Sequence, residues 1–147
     1  MEKILVAIDG SEHARYALEE ALELAEAGGA TVTIVYVRHA PIPILGDPLY
    51  QRALSVELLH AEEALAVAAG VARVACIDAE VEVLEGNPAQ RILELARLRD
   101  VNLIVVGSRG RGAIAGALLG SVSREIVHHA DRPVLVATRR AARLRAA

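Results

Sequence analysis

The sequence predicts an α/β fold in which an open, five-stranded parallel β-sheet carries helices on both faces. Short, almost uninterrupted apolar runs recur along the chain, as expected for strands that are buried on both faces. These runs alternate with segments whose apolar residues repeat at helical spacing, and glycine or proline marks most of the boundaries. Such alternation favours a parallel sheet that is covered on both sides. At 147 residues, without a repeat or a linker, the chain is expected to form one domain over residues 1–147.

The first part of the chain predicts a strand, a helix and a second strand. KILVAI, residues 3–8, is the first strand, and Asp9-Gly10-Ser11 follows it as punctuation. The helix is expected to close at Gly28-Gly29, because glycine commonly ends helices. The β-branched run TVTIVYV, Thr31–Val37, is the second strand. The helix between them is predicted from six apolar residues at helical spacing, namely Ala14, Ala17, Leu18, Ala21, Leu22 and Ala25.

A proline-rich loop, a long helix and an edge strand are predicted next. Arg38–Tyr50 contains three prolines and a glycine, so we expect a loop, and its position after the second strand makes it a candidate lid. Apolar residues at helical spacing then predict a helix that ends near Gly70. AEVEVLEG, residues 79–86, alternates acidic and apolar residues, which indicates a strand at a sheet edge with one face toward water.

The remaining elements complete the pattern of five strands. Asn87 is expected to cap a third helix, with Pro88 at its first position and Gln90 placed for a capping box. The other predicted elements are a strand at VNLIVVG (residues 101–107), a short helix from about Ser121 to His129, and a last strand at Pro133–Ala137.

Composition excludes several classes of protein. Apolar residues make up 54% of the chain and charged residues 24%, which is typical of a folded domain and not of a disordered one. The net charge is −3 and the chain has no Phe or Trp, so it lacks the basic face or stacking aromatic residues of nucleic-acid binders. The basic C-terminal tail, TRRAARLRAA, is expected to be solvated.

Cysteine, histidine and hydropathy add further expectations. A lone Cys76 cannot form an intramolecular disulfide and is expected to be a small packed residue. His128 and His129 point to different faces of a helix, so we expect no shared metal site there. No apolar run approaches the length that crosses a membrane, so a cytoplasmic location is expected.

The segment GSRGRGAIAGALLGSVS, residues 107–123, holds five of the eleven glycines. It directly follows the predicted fourth strand, and ligands of open parallel sheets bind outside the carboxyl ends of the strands. A Gly-x-x-Gly turn at Gly107 and Gly110 can turn its N–H groups outward as an anion-binding concavity. Downstream, Gly120-Ser121-Val122-Ser123 opens a helix, whose N-terminus is a second phosphate site. Two anion sites beside one crevice favour a polyphosphate ligand.

Two other phosphate-binding motifs fit less well. The Walker loop needs a lysine, and the only lysine of the chain, Lys3, is far from this segment. GRGAIAG, Gly110–Gly116, is superficially similar to a dinucleotide fingerprint, but that motif usually opens the first strand–helix unit. NAD(P) therefore remains a weaker alternative.

These residues resemble a known family. Gly107-x-x-Gly110, nine residues and then Gly120-Ser121 is similar to the G-x2-G-x9-G-S/T motif of ATP-binding universal stress proteins. The resemblance covers the whole chain, through ILVAIDGSE, GNPAQRILELA, LIVVGSRG and LLGSVSREIVHHADRPVLVA. It implies a Rossmann-like sheet of strand order 3-2-1-4-5 and membership of the ATP-binding branch. Ala7 departs from the proline that is frequent at its position, with no expected effect on binding.

The resemblance also implies roles for particular residues. Asp9 would accept a hydrogen bond from a ribose hydroxyl, and the backbone of Val37 would hold adenine. The phosphates and ribose would be wrapped by the glycine-rich loop, with a divalent ion, Mg or Mn, held mainly by phosphate oxygens. The full set of implied ATP contacts is Ala7, Asp9, Val37, Val106, Gly107, Arg109, Gly110, Gly120, Ser121, Val122 and Ser123.

The function that follows is an ATP-binding sensor or regulator of stress physiology with little or no hydrolysis. Arg109 and Arg111 on a glycine-rich loop would be poorly fixed for rapid phosphoryl transfer. A homodimer is expected through the apolar edge strand that contains Val134, Leu135, Val136 and Ala137. Two alternatives stay open: a slow ATPase or nucleotidyl transferase of the same superfold, and an interaction module that binds no nucleotide.

Overall fold

The computed structural model describes residues 1–40, 46–111, 116 and 118–139. Five strands form one sheet in which every neighbouring pair is parallel, in the order β3-β2-β1-β4-β5. The predicted fold class and the strand order implied by the resemblance are thereby confirmed. The strands are β1 (Lys3–Ile8), β2 (Thr31–Arg38), β3 (Ala79–Glu85), β4 (Leu103–Gly107) and β5 (Val134–Ala137).

Among the described residues, four helices cover the two faces of this sheet. They are α1 (Glu12–Gly28), α2 (Asp47–Val74), α3 (Pro88–Leu98) and α4 (Ser121–His129). One core joins α1 and α2 to one face through residues such as Ile4, Val6 and Ile34. The other core joins α3 and α4 to the opposite face, around Leu5 and Ile104. Strands β1 and β4 are buried by both layers, which explains their nearly continuous apolar sequences.

Local signals set most helix ends as predicted. Ser11 caps α1 by accepting a hydrogen bond from the Ala14 N–H at 3.2 Å, and Gly29 ends the helix with φ of +69°. Asn87 caps α3 by accepting from the Gln90 N–H at 3.0 Å. The side chain of Gln90 donates to Glu94 and does not reach back, so the capping box forms only in one direction.

Both predicted boundaries of the second helix are wrong. The predicted loop Arg38–Tyr50 ends earlier, because α2 begins at Asp47 with Pro48 in its first turn, where a missing N–H costs nothing. The helix then continues through Gly70 to Val74. Burial of Ala68 and Ala72 against the sheet on either side of Gly70 outweighs the weak helix propensity of glycine. The rest of that loop, residues 41–45, lies outside the described residues.

The predicted edge strand is confirmed as β3, at one end of the sheet. Its valines are nonetheless substantially exposed, at 46% for Val81 and 44% for Val83, because α2 lies mainly over β2. In the described part of the chain, no helix is long and apolar enough to cross a membrane.

Candidate functional site

A cavity of about 890 Å³ opens where β1 and β4 end side by side. This is the topological switch point of the sheet, where ligands of open α/β folds bind. Every residue that the sequence suggested for the site lines this cavity. They are Ala7, Asp9, Val37, Val106, Gly107, Arg109, Gly110, Gly120, Ser121, Val122 and Ser123.

One wall of the cavity is apolar. Ala7, Val37 and Val106, near the ends of β1, β2 and β4, belong to the core on the α3 side. Ile92 of α3 lines the same part of the cavity. A flat, uncharged ring could pack against this wall without leaving a buried polar group unpaired.

Asp9 follows β1 directly and turns its carboxylate toward the loop after β4. The Ser11 N–H donates to its Oδ1 at 2.9 Å, and the Arg111 N–H donates to its Oδ2 at 3.0 Å. Capping of α1 falls to Ser11, so Asp9 does not act as the helix cap. Its carboxylate is a hydrogen-bond acceptor on the cavity wall.

The two glycines of the Gly-x-x-Gly turn lack side chains for different reasons. A Cβ on Gly110 would lie 2.7 Å from Oδ2 of Asp9, so this position is kept bare on the cavity side. A Cβ on Gly107 would lie 2.7 Å from the carbonyl carbon of His13, in the backbone of α1. Gly107 therefore allows close packing of a helix on β4, a role that the motif did not predict.

Gly120 and Ser123 join the start of α4 to the loop after β4. The Gly120 N–H donates to the Ser108 carbonyl at 2.7 Å, and the buried Ser123 hydroxyl lies 3.1 Å from the carbonyl oxygens of Ser108 and Gly120. A hydroxyl has one proton to donate, so that of Ser123 is already engaged. Ser123 can offer a ligand its backbone N–H but not its hydroxyl proton.

The first turn of α4 presents unpaired N–H groups to the cavity. The first helical hydrogen bond runs from the Arg124 N–H to the Gly120 carbonyl at 3.0 Å. Within the described part of the chain, the N–H groups of Ser121, Val122 and Ser123 have no acceptor, and the first turn carries no acidic residue. A helix N-terminus of this kind attracts anions.

Arg111 is held more firmly than the sequence suggested. Its Nη1 donates to the hydroxyl of Tyr36 at 3.0 Å, while its N–H donates to Asp9. Burial raises the pKa of Tyr36, and the positive charge of Arg111 opposes this shift. The expectation that Arg111 is poorly fixed is therefore wrong. Arg109 lines the cavity without a hydrogen bond or ion pair among the described residues.

The structure adds cavity residues that the sequence analysis missed. Tyr36 lines the cavity, although the sequence assigned it only to a strand. Glu57 of α2 and His39, just after β2, line the cavity as well. The alternation of side chains along β2 places Tyr36 on the α2 side, but no local pattern indicates that its hydroxyl reaches the cavity.

His128, His129 and Cys76 are not among the described residues that line the cavity. Among residues 1–40, 46–111, 116 and 118–139, no three His, Cys, Asp or Glu side chains are grouped to hold a metal. The rings of His128 and His129 lie 6.5 Å apart at 61°. Cys76 was expected to be packed but is exposed, because it follows the end of α2 with φ of +55°.

Comparison with known proteins identifies the family. The chain matches the Universal stress protein family over residues 1–138. It belongs to this family. A universal stress protein of Thermus aquaticus is 40% identical over 134 residues, which cover 90% of this chain and 96% of that protein.

Solved universal stress proteins share the fold along almost the whole chain. Universal stress protein UspA from Lactobacillus plantarum is 28% identical, with a TM-score of 0.84 and coverage of 93% of this chain and 97% of that one. The universal stress protein from Archaeoglobus fulgidus in complex with dAMP is 25% identical, with a TM-score of 0.72 and coverage of 94% and 98%.

Proposed function

We propose that this universal stress protein binds ATP in the crevice between β1 and β4. The observation that carries the proposal is the convergence of an apolar wall, the Asp9 carboxylate and the unpaired amides of α4 in one cavity. These are the three partners that a base, a ribose and a phosphate chain require. The binding of dAMP by a relative of the same fold supports an adenine nucleotide as the ligand.

Each part of the nucleotide has a matching region. Adenine would pack against Ala7, Val37 and Val106, and a ribose hydroxyl would donate to Asp9. The phosphate chain would pass Gly110 and Arg109. It would end at the backbone N–H groups of residues 121–123, in the first turn of α4. Gly107 and Gly120 would shape the backbone around the phosphates. Gly107 packs against α1, and the Gly120 N–H donates to the Ser108 carbonyl.

A divalent ion, Mg or Mn, would enter with ATP and be held mainly by its phosphate oxygens. Mg²⁺ keeps several waters and needs few protein ligands when it is bound to nucleotide phosphates. The described residues fit this arrangement, since the cavity wall offers the separate carboxylates of Asp9, Glu57 and Glu125 and no grouped ligand set.

The bound nucleotide would serve regulation in the stress response more than catalysis. Rapid phosphoryl transfer uses a cation placed on the migrating group. Arg111 is instead directed to Tyr36 by its side chain, and Arg109 has no partner among the described residues that would fix it on the migrating group. We expect tight holding of ATP with little or no hydrolysis, and product analysis would contradict this with a turnover near about 10 per second.

Calorimetry with ATP and a loop variant tests the binding site. Gly110→Val should weaken ATP binding at least about tenfold, because its Cβ would collide with Asp9 and its methyl groups would project into the cavity. Gly70→Val is the matched control, since no described atom outside its own helix backbone lies within 4 Å of a Cβ on Gly70, and Gly70 is not among the described residues that line the cavity. Unchanged ATP affinity in Gly110→Val would contradict the site.

A homodimer through β5 belongs to the same proposal. The carbonyls of Pro133 and Ala137 accept from Ile104 and Ser108 on the β4 side. By strand alternation, the N–H and C=O groups of Val134 and Val136 point to the open edge. No described residue pairs with this apolar edge, and such an edge favours pairing with a second strand. Light scattering at micromolar concentration should show a dimer, and a monomer would refute this assignment.

A further inference from the structure

Arg111 links the ends of three neighbouring strands across the cavity. Its backbone N–H, in the loop after β4, donates to Oδ2 of Asp9, which follows β1, at 3.0 Å. Its Nη1 donates to the hydroxyl of Tyr36 in β2 at 3.0 Å. All three residues line the cavity. The two bonds form one chain, Tyr36–Arg111–Asp9, which we call the cavity link.

The tyrosine end of the cavity link is rigid. Tyr36 is 2% exposed and lies in the core between the sheet and α2. Burial raises the pKa of its hydroxyl, which stays neutral and accepts the hydrogen bond from Arg111 through an oxygen lone pair. A hydroxyl on a fixed ring gives the flexible arginine side chain an immobile anchor.

The carboxylate end is where the cavity link affects the site. Ser11 fixes Oδ1 of Asp9 through its N–H, and Arg111 fixes Oδ2. Each carboxylate oxygen can accept a second hydrogen bond, so Asp9 can still accept one from a hydroxyl group of a ligand. Without the Arg111 bond the carboxylate is held at one oxygen only and can rotate, because this terminal torsion has a broad energy minimum.

We propose that Tyr36 and Arg111 are positioning residues that orient Asp9 to accept a ribose hydroxyl before the nucleotide arrives. The inference rests on the proposed function, because the ribose contact of Asp9 is part of it. A carboxylate that is already oriented raises affinity, because the entropy of ordering Asp9 is lost when the protein folds and not when the ligand binds. The contribution is specific to ligands that carry ribose hydroxyls.

The test compares ATP with 2′,3′-dideoxy-ATP, which lacks both ribose hydroxyls. Tyr36→Phe removes only the hydroxyl that anchors Arg111. By calorimetry, its Kd for ATP should rise about three- to tenfold, as for loss of one hydrogen bond, while its Kd for dideoxy-ATP stays at the wild-type value. Tyr16→Phe is the matched control, because it removes a hydroxyl that bonds Glu12 outside the cavity and should leave both constants unchanged.

A double-variant cycle adds the arginine. If Tyr36 acts through Arg111, then Tyr36→Phe combined with Arg111→Met should bind ATP no more weakly than Arg111→Met alone. An unchanged ATP Kd in Tyr36→Phe would overturn the inference. Equal loss of ATP and dideoxy-ATP affinity would overturn it as well, since general damage to the cavity weakens both ligands alike.

A measurement on the ligand-free protein distinguishes failure of the proposed function from failure of the cavity link. Amide hydrogen exchange of Arg111 should be faster in Tyr36→Phe than in wild type and unchanged in Tyr16→Phe. If wild-type protein does not bind ATP but this exchange difference appears, the proposed function fails while the cavity link stands. Unchanged protection of the Arg111 amide would overturn the link itself.

Discussion

Replacement of Gly107 by alanine tests why the motif begins with glycine. The new Cβ would lie 2.7 Å from the carbonyl carbon, 2.8 Å from the oxygen of His13 and 3.0 Å from the Ala14 nitrogen. These are backbone atoms of the first turn of α1, so no side chain can rotate away, and the helix must move relative to β4. Gly107→Ala should therefore lower the free energy of unfolding.

The magnitude follows from two opposing effects. Overpacking a rigid contact costs typically 1–3 kcal/mol, and contacts this short with backbone fall at about 3 kcal/mol. Restricting the unfolded chain by replacing glycine returns about 0.4–1 kcal/mol. The expected net loss is about 2 kcal/mol, measured by urea unfolding at fixed protein concentration.

Gly70→Ala is the matched control because it makes the same substitution in open space. Gly70 lies inside α2, and no described atom outside its own helix backbone lies within 4 Å of a Cβ there. Alanine should raise the free energy of unfolding by about 1 kcal/mol through helix propensity. If Gly107→Ala were as stable as wild type, close packing would not explain this glycine.

Three further predictions concern stability and titration. Arg132→Met should lower the free energy of unfolding by about 2–3 kcal/mol in a urea titration, because Arg132 Nη1 donates to the carbonyls of Ala96 and Val101 at 2.8 and 2.9 Å. The control is Arg52→Met at an exposed position, which should leave the free energy of unfolding unchanged. The Asp131 carboxyl should titrate near 2 by NMR, because its hydrogen bond from Arg132 holds its pKa at about 2, below the usual 3.8, and Arg132→Met should return it toward 3.8. The contribution of the Asp131 carboxylate to stability is present above pH 3.8 and is lost as the pH falls toward 2. An unaltered titration midpoint of Asp131 in Arg132→Met would refute the role of Arg132. Gly29→Ala should cost about 1 kcal/mol on thermal unfolding, because φ is +69° there and a side chain is strained in this left-handed region, while no described atom crowds the position. Gly28→Ala, at the neighbouring helical residue where an added Cβ would meet only an ordinary contact at 3.9 Å, is the control, and an equal loss there would contradict that cause.

The two central strands could be predicted because their sequence pattern has a single cause. Residues 4–8 and 103–106 are apolar throughout, since both sheet faces are covered there. The start of α2 could not be predicted as easily. Proline at Pro48 signals a loop as readily as a first helical turn, and only the packing of the helix on the sheet decides between them.

The residues that line the cavity could be predicted as a set, but the structural roles of its glycines could not. Spacing of Gly107 and Gly110 suggests one shared purpose, yet one glycine admits α1 and the other adjoins Asp9. The bond between Tyr36 and Arg111 joins residues 75 positions apart, so it depends on tertiary structure that no local pattern encodes.

A crystal structure with ATP and Mg²⁺ tests the central proposal most directly. The account predicts the base on the apolar wall of Ala7, Val37 and Val106, a ribose hydroxyl on Asp9, and phosphate oxygens at the amides that begin α4. A triphosphate bound elsewhere on the protein, or an empty crevice at saturating ATP, would contradict it.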